Sequence, residues 1–528
     1  MRSTLSLLAL CAGIALFAAS PAGARTVPAQ PPFRVLVVPH LSTAQLEHLA
    51  QRGAVGLLVP GVGPTTNHRR ALAAMLRGQQ ENARLGGVPA GQRLITAAAA
   101  TGTPTGAPII VVSLPARGAP VTNDRRYPIA VIGLGYHGLL ESPTTRIPGL
   151  VSVVDIAPTA LGRLRGSLWS TPSADPVGAL LHLDRQIHSN NRLKFAYLIV
   201  IAAFVGLLAL VRPAAAMPAL SAALLASLGL GAAGVTNEVL LMAVIVIATF
   251  FGGLALSRLA RSEAALLALF LGVLLVHMLL LAYRPTWVAL SPLGPTQNSR
   301  FWGVGNQLET LLLPLLLAGA GLAGRRLGAP GFGAFALLAL VVVTGNRFGS
   351  DGGGAIVLGA SFAFLGSRLA RAGVRGFVTA LGTAAVVTLG VIWLDLRAGG
   401  PDHLRSAFSH GWHGIVAVAQ NRVPLAYEPA LHHWYLVLPF GIAFLSVLAL
   451  TLPRPHPAGR RDILFALAFG IAVSLLVNDS AAYVLIGATA GVAALARTRA
   501  AYAPFAQLGI VPALRRALRV ARPTRELA

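Results

Sequence analysis

The stretch Lys194-Phe195-Ala196-Tyr197-Leu198-Ile199-Val200-Ile201-Ala202-Ala203-Phe204-Val205-Gly206-Leu207-Leu208-Ala209-Leu210-Val211-Arg212 decides the class of this chain. Between its terminal lysine and arginine no residue carries a charge, and a helix of ~20 apolar residues crosses a bilayer core. C-terminal to it, similar runs recur at 217–234, 238–257, 264–283, 307–324, 330–345, 353–368, 376–396, 434–452, 462–477 and 480–496. With 195–212, these predict an all-α polytopic membrane bundle of about 11 helices within 191–496. Composition agrees: 55% of the 528 residues are hydrophobic and 11% are charged, whereas a soluble domain carries about 25% charged residues.

The net charge of +25 in a soluble protein would point to nucleic acid. Here the arginines sit in short loops between apolar runs, the pattern that orients membrane proteins, so no nucleic acid partner is expected. Loops expected inside hold Arg212; Arg258 and Arg261; Arg325 and Arg326; Arg368, Arg371 and Arg375; and Arg454, Arg460 and Arg461. The tail, 497–528, adds Arg497, Arg499, Arg515, Arg516, Arg519, Arg522 and Arg525. Its stretch Val511 to Val520 reads as a basic amphipathic helix on anionic inner-leaflet lipids. This places the chain in the plasma membrane of a cell envelope, with a cytoplasmic C-terminus.

N-terminal to Lys194 the texture changes. Residues 1–24 read as a signal peptide: Arg2, an apolar core from Leu5 to Ala18, and the small-residue site Ala22-Gly23-Ala24. The sole cysteine, Cys11, lies within it, so a mature chain has no thiol for disulfides or thiolate metal sites. Residues 25–190 read as an extracytoplasmic α/β domain with a mostly parallel sheet. Strands are expected at 35–38, 54–59, 108–114, 129–134 and 150–154, with a helix at 42–52 capped by Ser42 and another from Asp155. Asn190 and Asn191 read as loop, and Glu238 as a helix end.

Three polar clusters interrupt the bundle: 299–309, 344–354 and 478–480. Parity of the spans puts all three at the outer face. Ionisable residues at membrane depth are costly and tend to pair or to serve a function. Glycine-rich helix ends can cradle an anionic headgroup. The candidate binding residues are therefore Arg300, Asn306, Glu309, Asn346, Arg347, Asp351, Asn478 and Asp479. The bland alternative is a set of tight turns with structural ion pairs. A long outer loop, 397–433, holds His403, His410, His413, His432 and His433; it reads as an interfacial helix rather than a metal site. No cofactor is called for.

The segment Pro148-Gly149-Leu150-Val151-Ser152-Val153-Val154-Asp155-Ile156-Ala157-Pro158-Thr159-Ala160-Leu161 resembles one in the alkaline phosphatase superfamily, where a strand leads into an Asp-x-x-Pro-Thr helix. The opening strand Val35 to Val38 and the stretch Leu46 to Leu58 are similar too. The resemblance implies an alkaline-phosphatase-like fold. Active members hold two metal ions and activate a Ser or Thr. Where a metal-binding Asp belongs this chain has Pro39-His40, and where Asp-His-Gly belongs it has Ser113-Leu114-Pro115. Thr65 and Thr66 stand near the nucleophile position, and Tyr136-His137 near a last ligand. The resemblance thus implies a degenerate relative without catalysis, carrying only Glu47, Glu81, Asp124, Glu141, Asp155, Asp175 and Asp184 as acids.

Three functions compete on this reading. The first is a non-catalytic envelope protein that binds a membrane lipid or a lipid-linked, phosphate-bearing precursor at the outer face. The second is a metal-dependent phosphatase or phosphoethanolamine-type transferase. The third is a transporter, although no internal repeat of the kind many transporters show is visible.

Overall fold

The computed structural model describes residues 32–63, 65–78, 95–99, 108–163, 166–298, 300–345, 348–349, 352–398, 427, 434–451, 459–478 and 480–497. The expected signal peptide, the histidines of the long loop and the basic tail beyond Arg497 lie outside the described residues.

The N-terminal part is built on one large sheet. Its strands are β1 (Arg34–Val38), β2 (Gly53–Val59), β4 (Ala97–Ala99), β5 (Ile109–Ser113), β7 (Tyr127–Ile132), β8 (Gly138–Glu141), β9 (Leu150–Ser152) and β10 (Trp169–Thr171). The order is β10-β8-β2-β7-β5-β1-β4, with β9 beside β2. Two short strands, β3 (Thr65–Thr66) and β6 (Val121–Thr122), form a separate ribbon. Most strands run in one direction, as expected, but the sheet is mixed: β7 runs antiparallel to both β2 and β5, and β10 antiparallel to β8. A parallel return from β5 needs a crossover, usually a helix. The chain between β5 and β7 carries only β6 and turns, so β7 returns antiparallel.

Side chains alternate across β2. Ala54 and Leu58 join a core with Met75 of α2 (His68–Arg77) and Ile156 of α3 (Ile156–Ala160). Val55, Leu57 and Val59 face the opposite core, with Leu46 and Leu49 of α1 (Thr43–Ala50). Ser42 caps α1 as expected, in a reciprocal capping box with Gln45.

The second core is closed by α4 (Pro176–Val211), a continuous helix of 36 residues. Its first half presents Val177, Leu180, Leu183 and Ile187 to the sheet. Its second half presents Tyr197, Leu198, Ile201 and Val205 to the helical bundle. At 1.5 Å per residue such a helix is about 54 Å long, enough to carry one rigid element from the sheet through a bilayer. Asn190 and Asn191 lie inside α4 and not in a loop.

The bundle continues with α5 (Pro213–Ala233), α6 (Glu238–Leu259, with a π turn), α7 (Glu263–Tyr283), the short α8 (Pro285–Ala289), α9 (Asn306–Thr344), α10 (Gly352–Leu369), α11 (Val374–Ala398), α12 (Trp434–Thr451), α13 (Arg460–Val477) and α14 (Ala481–Arg497). Glu238 is the first residue of α6, capped by Asn237. The two expected runs, 307–324 and 330–345, form the two helical arms of α9, divided at Gly328, whose φ of 72° and ψ of −163° are not helical. Among the described residues, seven helices are long and apolar enough to cross a membrane. These helices make this a multi-pass membrane protein.

Candidate functional site

Between α7 and α9 the chain leaves regular structure. The described residues of the strap 290–305, which are 290–298 and 300–305, pack on the core under the sheet through Leu290 and Phe301 and on the bundle core through Leu293 and Val304, and include most of the first polar cluster. An irregular buried segment must find partners for its backbone polar groups, and three parts of the molecule supply them.

The sheet domain supplies the first set. Asn123, buried just before β7, donates through Nδ2 to the carbonyls of Gly61 (2.9 Å), Gly63 (3.0 Å) and Asn298 (3.2 Å). Trp302 donates its indole N–H to the carbonyl of Thr144 at 3.2 Å, and the guanidinium carbon of Arg146 lies 3.5 Å from the centre of its ring. Phe301 inserts into the apolar core under the sheet.

Helix α4 supplies the second set. Gln186 and Asn190 both donate to the carbonyl of Leu290, at 3.2 and 2.7 Å, and Asn191 donates to that of Thr296 at 2.9 Å. The ammonium of Lys194, the chain's only lysine, is buried and donates to the carbonyl of Gly294 at 2.8 Å.

The bundle supplies the third. Ser227 of α5 accepts from the N–H of Leu293 at 3.1 Å. The N–H of Val304 donates to the carbonyl of Gly349 at 2.9 Å. Gly303, at φ 85°, lies so close that a Cβ there would strike that same carbonyl. This backbone bond ties the first polar cluster to the second.

The third cluster joins through side chains. Glu309 sits in the first turn of α9, where the positive end of the helix dipole favours a carboxylate. It is 2% exposed, and accepts from Asn478 Nδ2 at 2.9 Å. Asn478, at the end of α13, also donates to Ser474 Oγ at 2.7 Å. Arg300 donates to the carbonyl of Val304, which turns its guanidinium back over the entry to α9. The carbonyl of Asn306 accepts from Thr310 at 2.7 Å. Arg300, Asn306, Glu309 and Asn478 are thus gathered around one helix start. Asn346, Arg347, Asp351 and Asp479 lie outside the described residues.

The residues that the phosphatase resemblance singled out have local duties. Asp155 is buried, and its carboxylate accepts from Ser142 Oγ, from Thr144 Oγ1 at 2.8 Å and from Thr144 N–H at 3.4 Å. Burial lifts its pKa to about 6, against the pull of those hydrogen bonds. Thr159 donates to the Asp155 carbonyl at 2.6 Å and accepts from Leu168 N–H at 2.8 Å. Thr65 and Thr66 lie in the β3–β6 ribbon. Tyr136 donates to the carbonyl of Leu168 at 2.7 Å, and His137 is exposed. Among the described residues no three His, Cys, Asp or Glu side chains group closely enough to share a metal ion.

Sequence reasoning missed Asn123, Gln186, Asn190, Asn191 and Lys194. Their partners are all backbone carbonyls of irregular segments, the strap for the α4 residues and both the strap and the turn at Gly61 and Gly63 for Asn123, which leaves no residue pattern to read. The one visible signal was the spacing of Gln186, Asn190 and Lys194, which places three polar groups on one face of a helix. Comparison with known protein families, with curated proteins and with solved structures finds no match.

Proposed function

We propose that this protein is a non-catalytic component of a cell envelope that binds a lipid-linked, phosphate-bearing molecule where the sheet domain meets the bundle. The observation that carries the reading is the gathering of Arg300, Asn306, Glu309 and Asn478 around the start of α9, beneath the sheet. A guanidinium beside a helix N-terminus offers charge-assisted donors to a phosphate. An apolar bundle next to them offers a place for a lipid chain. Arg347, Asp351 and Asp479 belong to the same site on this reading.

The full topology belongs to the proposal: about eleven crossings, with 25–190 outside after removal of a signal peptide and the C-terminus in the cytoplasm. Ion pairs at loops expected inside support it. Arg325 pairs with Glu263, and Arg368 with Asp462 at 2.9 Å. Arg497, at the end of α14, donates to the carbonyl of Ala209 near the end of α4 at 3.2 Å, which puts those two ends on one side. On this view the sheet domain is a degenerate alkaline-phosphatase-like fold kept for docking. Support comes from Asp155, whose carboxylate is taken up by Ser142 and Thr144.

The test uses full-length protein in detergent with farnesyl phosphate as probe, and inorganic phosphate and farnesol as separate arms. Farnesyl phosphate should bind, and Arg300→Ala should weaken it about 10-fold or more, the scale of one lost charge-assisted hydrogen bond. Arg347→Ala and Asp351→Ala should act in the same direction. Wild-type affinity in all three variants would sink the reading. Chelator-sensitive hydrolysis of the probe would favour a metal-dependent phosphatase instead.

A further inference from the structure

The loop Ser142–Ile147 touches both the buried carboxylate of the sheet domain and the strap that enters α9. On one side, Ser142 and Thr144 hold Asp155 through both carboxylate oxygens. On the other, the Thr144 carbonyl accepts from Trp302 Nε1, and Arg146 stacks on the same indole. Arg146 has φ 57°, a left-handed conformation that a non-glycine residue adopts only where its surroundings hold it. The loop is further fixed from inside. Ser142 Oγ accepts from Thr145 N–H (3.3 Å) and Ser152 N–H (3.4 Å), and Thr145 Oγ1 donates to the Leu150 carbonyl (2.5 Å). Trp302 is two residues from Arg300 and two from Val304, whose carbonyl Arg300 grips and whose N–H binds Gly349.

From this juxtaposition we infer that Asp155 is a positioning residue for the site at the start of α9, acting through Thr144 and Trp302 on the Arg300–Glu309 segment. The inference deepens the proposed lipid-phosphate site and rests on it for its binding consequence. The segment that resembles a phosphatase motif is then reused as the anchor of a docking loop. Removing the carboxylate releases both hydroxyls and the Thr144 N–H together, and the loop loses the geometry that presents the Thr144 carbonyl and the Arg146 guanidinium to Trp302. An amide in the same place can keep the pattern. Its oxygen accepts from Ser142 and the Thr144 N–H, and its NH2 donates to Thr144 Oγ1 once that hydroxyl rotates.

The test combines backbone hydrogen exchange on ligand-free, full-length protein in detergent with farnesyl phosphate binding. In Asp155→Ala, peptides covering 298–305 should exchange at least tenfold faster while β2 and β7 keep wild-type protection, and farnesyl phosphate should bind about 3- to 10-fold more weakly. Asp155→Asn should restore both. Trp302→Phe should weaken binding similarly, and Asp155→Ala with Trp302→Phe should be no weaker than the worse single variant. Should Asp155→Ala fail to fold, Thr144→Val and Ser142→Ala carry the same expectation for 298–305. The inference is overturned if exchange at 298–305 is unchanged in a folded variant, if β2 and β7 loosen equally, or if the two binding losses multiply. Because exchange is read without ligand, it stands or falls separately from the binding reading; a protein that binds no farnesyl phosphate yet shows the selective exchange would remove the function and keep the coupling.

Discussion

Asp155 shows how one side chain sets a measurable property of the fold. Its folded value of about 6 lies above the 3.8 of an unperturbed aspartate, because burial disfavours the charge more than Ser142 and Thr144 favour it. The folded chain therefore binds this proton more tightly than the unfolded chain. The contribution is full below pH ~4 and is lost as pH rises through about 6, with a total on the order of 3 kcal/mol. Thermal melting of the full-length protein should show stability falling across that window, and Asp155→Asn should flatten the slope. Gly303 makes a second residue-scale case. A side chain there meets the Gly349 carbonyl and a φ of 85°, so Gly303→Ala should cost about 1–3 kcal/mol and lower the melting temperature. Glu309 and Asn478 were legible in the sequence because a carboxylate or an amide breaking an apolar run stands out. Asn123 was not: it looks like any turn residue, and its role depends on Gly61, Gly63 and Asn298 arriving beside it.

At the scale of elements, the apolar runs gave helix positions to within a few residues, because twenty consecutive apolar side chains admit little else. Periodicity failed in the first half of α4, while its C-terminal end lies within a residue of the expected 212. Its first half is an amphipathic helix on a sheet, with Gln186, Asn190 and Lys194 turned to the strap, and the polar pair Asn190-Asn191 reads like a loop when that strap is unseen. Gln186→Leu with Asn190→Leu leaves the Leu290 carbonyl without either donor, which should destabilise by about 1–3 kcal/mol. The double variant should melt earlier than either single one. In α9 the break at Gly328 uses a φ, ψ pair open only to glycine, so Gly328→Ala should sharply reduce the yield of folded protein. The sheet's mixed direction was also hidden, since nothing in the apolar pattern of β7 records which way the chain returns.

At the scale of the whole molecule, the sheet domain, α4 and the bundle meet on one strap, and the polar clusters meet at its end. Sequence parity placed those clusters on a common face, and the bonds from Val304 to Gly349 and from Glu309 to Asn478 account physically for their gathering. The central claim is that this meeting point holds a lipid-linked phosphate. It is tested most directly by photocrosslinking the full-length protein in membranes with a diazirine-bearing farnesyl phosphate and mapping the labelled peptides. The account predicts labelling concentrated in 298–309 and the neighbouring 474–478, competed by unlabelled farnesyl phosphate and lost in Arg300→Ala. Labelling spread over the lipid-exposed face of α11, or unaffected by competitor and by Arg300→Ala, would contradict it.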